Sequence, residues 1–194
     1  MNLATLYKNE FDRFGEHVSL IYEDREITNV EMRQLAYRLG NALKQLGVSR
    51  GDRVIIQMPN CPQVLNSFHA VYAIGAVVVP INFLVGQDEI AYIYQDTGAE
   101  TVISSLDFLP TIEQCGKKGS SIRNIILIDD QVPDHTLAFQ DLLASNSDTL
   151  EIADVERDQL AALIYTSGTT GRPKGVMHTH TSLYENAKMQ KETL

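Results

Sequence analysis

Apolar positions along this chain switch repeatedly between a helical period and short continuous runs. Leu3, Leu6, Tyr7, Phe11 and Phe14 fall at helical spacing and predict an amphipathic helix over residues 3–14. Val18 to Tyr22 and Glu26 to Thr28 read as short strands around the polar turn Glu23-Asp24-Arg25. Thr28-Asn29-Val30-Glu31 has the form of a capping box, and behind it Met32, Leu35, Ala36, Leu39, Ala42, Leu43 and Leu46 trace one helical stripe. Gly47 is placed to end that helix in a left-handed conformation.

From there strands and helices alternate. The pattern predicts strands at 53–58, 76–81, 101–104, 124–128 and 160–166, and a strand at 175–178. It predicts helices at 62–74, 88–97, 106–115 and 137–144. Ala76 to Ile81 is apolar throughout, as a strand buried on both faces requires. Ser182-Leu183-Tyr184-Glu185 is a second capping-box pattern, and a helix is expected to start there. Gln131 to His135 is the most linker-like stretch, and Ser145 to Asp154 reads as a polar surface loop. Such alternation implies an α/β fold with a mainly parallel sheet flanked by helices. Residues 1–47 form a helix–hairpin–helix segment and residues 48–194 an α/β subdomain.

Composition narrows the function classes. The chain has 194 residues, 44% of them hydrophobic and 21% charged, an ordinary balance with enough length for one or two cores. The formal net charge of −9 argues against a nucleic-acid partner. Cys61 and Cys115 are far apart without metal-type spacing and read as reduced thiols. Residues 1–15 carry Lys8, Glu10, Asp12 and Arg13 and lack the apolar core of a signal peptide. The most apolar stretch, Ala73 to Val85, is interrupted by Gly75, Pro80 and Asn82 and falls short of the ~20 residues of a membrane span. A cytoplasmic protein with no transmembrane segment is expected.

The run Tyr165-Thr166-Ser167-Gly168-Thr169-Thr170-Gly171-Arg172-Pro173-Lys174-Gly175 carries the chemistry. Glycine-freed backbone N–H groups, hydroxyls and an ammonium are what a polyphosphate needs around it. A Walker loop, G-x-x-x-x-G-K-[ST], does not fit. Counted from Gly168, its second glycine position holds Pro173, and Gly175 follows Lys174 where a magnesium-binding hydroxyl would stand. The loop should therefore hold phosphates between two strands. A hydrophilic Ser/Gly/Thr linker with an incidental lysine is the alternative; the apolar strand 160–165 feeding the loop argues against it.

Tyr165 to Gly175 closely resembles the phosphate-binding signature of the adenylate-forming (AMP-binding) superfamily, T-S-G-[ST]-T-G-x-P-K-G between two strands, with every fixed position filled. Upstream, Gly51-Asp52-Arg53-Val54, the segment Ala70 to Asn82 and Asp88-Glu89-Ile90 through Gly98-Ala99 resemble successive parts of the same family, so the likeness spans most of the chain. Phe83 stands where the family's acyl-CoA synthetases often have proline, and Ile27-Thr28-Asn29-Val30-Glu31-Met32 departs from their usual entry to the long helix. These departures leave the acyl substrate open.

The resemblance implies an acid–thiol ligase, an acyl-CoA synthetase using ATP, Mg²⁺ and CoA. A carboxylate, a fatty acid in the favoured reading, attacks the α-phosphate of ATP to give acyl-adenylate and pyrophosphate. The CoA thiol then displaces AMP. It implies that Thr166, Ser167, Thr169 and Thr170 donate hydroxyls to the β- and γ-phosphates, that Gly168 and Gly171 let the backbone approach, and that Lys174 stabilises the phosphates. Gly175 is expected to let the chain turn back into the sheet. Mg²⁺ would arrive with the nucleotide, held largely by its phosphates, with no protein metal site.

Weaker candidates surround the loop. His178 and His180 alternate and would share a strand face, but no third metal ligand stands nearby. Family members often carry a histidine at the place of His180 near the cleft, which leaves a site role and a packing role both open. His69 lies on an apolar helix face and reads as core, as do Tyr92 and Tyr94 with Ile90 and Ile93. Asp154, Glu156 and Asp158 read as a solvated loop. The family's adenine-, ribose- and carboxylate-binding motifs are not found after residue 175. The chain is therefore expected to be the N-terminal part of a larger AMP-binding domain and catalytically incompetent alone. Two other readings stay open: an adenylation enzyme loading an acyl or aminoacyl group onto a carrier protein, and a non-catalytic phosphate- or partner-binding module. Open sheet edges are expected to favour self-association.

Overall fold

The computed structural model describes residues 2–82, 85–166 and 172–193. Its first helix, α1 (Thr5–Phe14), leads into a hairpin of β1 (Val18–Tyr22) and β2 (Arg25–Thr28). The long helix α2 (Asn29–Gln45) starts where Thr28 Oγ1 accepts from the Glu31 backbone N–H at 3.2 Å, one half of the capping box the sequence predicts; the Glu31 carboxylate pairs with Arg25 instead of returning to Thr28. Its stripe of Met32, Ala36, Leu39 and Leu43 is buried.

Strands and helices then alternate as β3 (Arg53–Gln57), α3 (Pro62–Ala73), β4 (Val77–Pro80), α4 (Gln87–Thr97), β5 (Thr101–Ser104), α5 (Leu109–Lys117), β6 (Asn124–Leu127), β7 (Leu137–Ala138), α6 (Phe139–Ala144), β8 (Leu160–Thr166), β9 (Lys174–Thr179) and α7 (His180–Thr193). The seven strands β3–β9 form one sheet in the order β7-β6-β5-β3-β4-β8-β9, parallel throughout except for the antiparallel β8–β9 pair.

Helices cover both faces. Val54, Ile56, Val78 and Ile103 point into a core shared with α2, α3 and α6, while Ile55, Val79 and Val102 point into a second core under α4 and α5. The period-2 alternation of a strand accounts for this division of neighbours between two cores. At Gly40 a Cβ would lie 2.7 Å from Leu150 Cδ2, so the missing side chain makes room for Leu150 over α2.

The Gly51-Asp52-Arg53-Val54 turn has a local physical account. Asp52 Oδ2 accepts from the Ser49 N–H at 2.8 Å, and Arg53 Nε donates to the Thr97 carbonyl at 2.7 Å, capping the last turn of α4. Gly98 then leaves α4 at φ 57°.

Three expectations from sequence need correction. The predicted helix 137–144 begins with a two-residue strand, because Leu137 and Ala138 pair in parallel with Ile126 and Leu127. The predicted helix 106–115 is a short 3₁₀ turn, Leu106–Phe108, followed by α5, with Pro110 in the first turn, where its missing N–H costs nothing. The last helix starts at His180, not Ser182. Thr179 caps it, its Oγ1 accepting from Ser182 N–H and its own N–H donating to Ser182 Oγ, both at 3.0 Å.

The stretch 145–154 is also more than a solvated loop. Arg38 Nη1 donates to the Asn146 carbonyl at 2.7 Å, Asn41 Nδ2 donates to the Ser147 and Thr149 carbonyls, and Leu150 and Ile152 pack on the core. It straps α2 to α3.

Candidate nucleotide-phosphate site

The parallel strands share one direction, so their carboxyl ends line one edge of the sheet. The chain passes from β3 to β4 on one side and from β4 back across β3 to β5 on the other. Open α/β sheets bind ligands outside the carboxyl ends at such a reversal. Thr166, the last residue of β8, lies at this edge, just beyond the carboxyl end of the neighbouring β4.

Thr166 pairs directly with Lys174 across the antiparallel β8–β9 ladder, and both are exposed. Directly opposed residues put their side chains on the same face, so the hydroxyl and the ammonium stand side by side at the mouth of the hairpin. Ser167, Gly168, Thr169, Thr170 and Gly171 lie outside the described residues. Of the expected phosphate-binding residues, the structure therefore places Thr166 and Lys174, and it brings them together.

The next pair inward is Tyr165 and Gly175, facing the opposite way, toward α4. Gly175 is an ordinary strand residue without a positive φ. A Cβ on it would sit 3.1 Å from Tyr165 Cζ and 3.3 Å from the phenol oxygen. The expected turning role is therefore replaced by a packing one: the Tyr165 ring lies over the bare Gly175 backbone.

Asp96, which the sequence pattern does not single out, and Tyr92, which it reads as core, complete the surroundings. Tyr165 donates its hydroxyl to Asp96 Oδ2 at 2.6 Å, and Tyr92 donates to Asp96 Oδ1 at 3.2 Å. The Arg172 guanidinium lies 5.5 Å from the centre of the Tyr92 ring, a cation–π contact. Partial burial, then the neighbouring Asp96 carboxylate, pushes the Tyr165 phenol well above its ordinary value. The i,i+4 spacing of Tyr92 and Asp96 is visible in the sequence; their partners are not.

Tyr94 is wholly buried, as expected, and donates to Gln57 Oε1 at 2.7 Å. His69 is partly buried, and burial lowers its pKa to about 3. His180 lies at the other end of β9 from Lys174, fully buried. Its Nδ1 accepts from the Leu3 N–H at 3.2 Å, and its ring meets Tyr72 edge-on at 5.7 Å. Burial lowers its pKa to about 4, so the imidazole is neutral there. Of the two roles left open for His180, the structure favours packing. His180 belongs to α7, so it does not share a strand face with His178. Among the described residues no group of three or more His, Cys, Asp or Glu is placed to hold a metal ion. No helix among them is long and apolar enough to cross a membrane.

A family model described as "AMP-binding enzyme" matches residues 7–193. The chain belongs to the AMP-binding enzyme family. Its similar relatives include the 3-hydroxybenzoate--CoA/4-hydroxybenzoate--CoA ligase of Thauera aromatica, 32% identical over 179 residues, which covers 92% of this chain and 34% of that enzyme. The crotonobetaine/carnitine--CoA ligase of Salmonella typhimurium is 32% identical over 191 residues, 94% of this chain and 37% of the enzyme. Among solved structures, the anthranilate CoA ligase AuaEII in complex with anthranoyl-AMP superposes with a TM-score of 0.92 at 31% identity, over 97% of this chain and 36% of that one. The chain thus spans about a third of the length of these AMP-binding relatives.

Proposed function

We propose that this chain supplies the nucleotide-phosphate end of the active site of an ATP-dependent carboxylic acid–CoA ligase. The single observation that carries this reading is the Thr166–Lys174 pair, a hydroxyl and an ammonium directly opposed and exposed at the carboxyl edge of the sheet. That arrangement fits a polyphosphate. Lys174 supplies a point charge and Thr166 a hydrogen-bond donor, with Ser167, Thr169 and Thr170 adding hydroxyls and Gly168 and Gly171 close backbone approach. When a carboxylate attacks the α-phosphate, charge builds on the departing pyrophosphate, and donors fixed beforehand stabilise it. Mg²⁺ would travel with the phosphates. The CoA thiol then takes the acyl group and releases AMP.

The acid is read as a carboxylic acid without a fixed class. The relatives named above act on hydroxybenzoates, on crotonobetaine or carnitine, and on anthranilate, so a fatty acid is one member of the test panel. The reading keeps residues 1–47 within the same domain as 48–194, which the shared core of α2 and α3 supports. It also keeps a cytoplasmic location. The exposed edge strand β9, with Met177 73% exposed, supports weak self-association.

Calorimetric titration of the 194-residue chain with Mg·ATP tests the reading. Binding is expected in the parent chain, weakened roughly ten- to hundredfold by Lys174→Ala, since a hydrogen bond to a charged group contributes about 1.5–3 kcal/mol. Thioester formation from ATP, CoA and the acid panel is expected to stay at the level of the Lys174→Ala control. Equal nucleotide affinity in both proteins would sink the reading.

A further inference from the structure

We propose that Asp96 is a positioning residue that ties both limbs of the phosphate hairpin to α4. This rests on the nucleotide reading above. Both oxygens of the Asp96 carboxylate are engaged by phenols, Tyr165 at 2.6 Å and Tyr92 at 3.2 Å. Tyr165 belongs to the entering limb, one residue before Thr166. Arg172 belongs to the returning limb, two residues before Lys174, and is held on the Tyr92 ring. One side chain on α4 therefore reaches both limbs of the hairpin, directly at β8 and through the Tyr92 ring at Arg172, just before β9.

The geometry suits positioning and not phosphate contact. Side chains alternate across a strand, so Tyr165 and Gly175 face α4 while Thr166 and Lys174 face the other way. The hairpin backbone thus separates the Asp96 charge from the phosphate-facing pair. A carboxylate is a charged acceptor, and charge-assisted bonds are roughly twice as strong as neutral ones. Because the Tyr165 ring rests on bare Gly175 backbone, fixing the phenol also fixes how the two limbs lie against each other. Small displacements of groups that hold a reacting ligand cost disproportionately in function.

The test uses Asp96→Ala, Tyr165→Phe and the double variant of the 194-residue chain, each with three readouts: the urea midpoint, the Mg·ATP dissociation constant, and the rate of tryptic cleavage after Lys174 without nucleotide. Asp96 is exposed, and Tyr165→Phe removes one oxygen only, so folding should survive. Each single variant is expected to weaken Mg·ATP by about two- to tenfold and to speed cleavage severalfold, with little change in the urea midpoint. The double variant should do no more than Asp96→Ala alone. Additive effects, or unchanged affinity and cleavage in Asp96→Ala, would overturn the proposal. If the parent chain itself fails to bind Mg·ATP, the nucleotide reading falls. The cleavage rates of the three variants then still decide whether Asp96 holds the hairpin.

Discussion

The centre of the sheet and the β8–β9 hairpin are built from similar residues to opposite ends. In β3, β4 and β5 nearly every side chain is buried, and even Thr101 and Ser104 are enclosed. In the hairpin, Thr166, Lys174, Val176 and Met177 are exposed, while Ala161 and Ala162, at the end of β8 remote from Thr166, lie in the core. Parallel strands need helical crossovers that cover both faces, so the centre can only be packing. The antiparallel pair returns on itself: α4 meets its Tyr165 face, while the opposite face at Thr166 and Lys174 stays accessible. Stability is concentrated in the first region, and groups able to meet a ligand in the second. Substitutions should therefore separate the two properties according to where they fall.

The largest effect should come from the centre. Ile103 is fully buried between β3 and β6. Ile103→Ala is expected to cost about 2–5 kcal/mol, by lost transfer energy and the cavity left behind. That is a large share of the total for a domain of ordinary stability, about 5–15 kcal/mol. Urea denaturation would measure it. A loss as small as that of an exposed position would remove the contrast between the regions.

His180 sharpens the comparison at the hairpin itself, because β9 begins at the exposed Lys174 and runs into the buried His180, the first residue of α7. An unfolded imidazole takes a proton below about pH 6.5, whereas the folded one resists until about pH 4. Between those values the unfolded chain binds more protons, so stability falls as pH falls. The slope is at most about 1.4 kcal/mol per pH unit from this one group, levelling off below the folded pKa. His69, lowered by burial to about 3, acts with the same sign. His180→Phe should flatten the decline between pH 6.5 and 4 by up to one proton's share. An unchanged slope in urea titrations across that range would mean His180 is not held neutral by its surroundings.

Much of this architecture is legible in the amino-acid sequence. Continuous apolar runs such as Ala76 to Ile81 mark the buried strands, and the register of hydroxyls, glycines and Lys174 marks the hairpin. What stays hidden depends on partners distant in sequence. The strand Leu137–Ala138 exists only because β6 offers it a free edge, so no periodicity in its own residues reveals it. The start of α7 is displaced from its expected position because Ser182, acting as third helical residue, replaces the carboxylate of a usual capping box. Asp96 reads in sequence as an ordinary polar residue near a helix end. Its meaning lies in Tyr165, 69 positions away. Gly175 stands out in the sequence for the wrong reason: glycine in a loop motif suggests backbone freedom, whereas here it makes room for a ring.

That last distinction gives the smallest and most specific test. If Gly175 served a turn, Gly175→Ala would be penalised through φ; in a strand with ordinary φ, alanine is conformationally welcome. The penalty must come from contact, with the new methyl 3.1 Å from Tyr165 Cζ. Gly175→Ala should therefore destabilise by about 1 kcal/mol, the low end for overpacking, while Val176→Ala next to it, 43% exposed, stays within about 0.5 kcal/mol. A contact penalty is relieved by shrinking the other partner, and a backbone penalty is not. Adding Tyr165→Leu to Gly175→Ala should then cost less than the two single losses summed, as urea midpoints would register. Strict additivity would return Gly175 to a backbone role and leave the hairpin without the ring-on-backbone contact that sets it apart from the sheet centre.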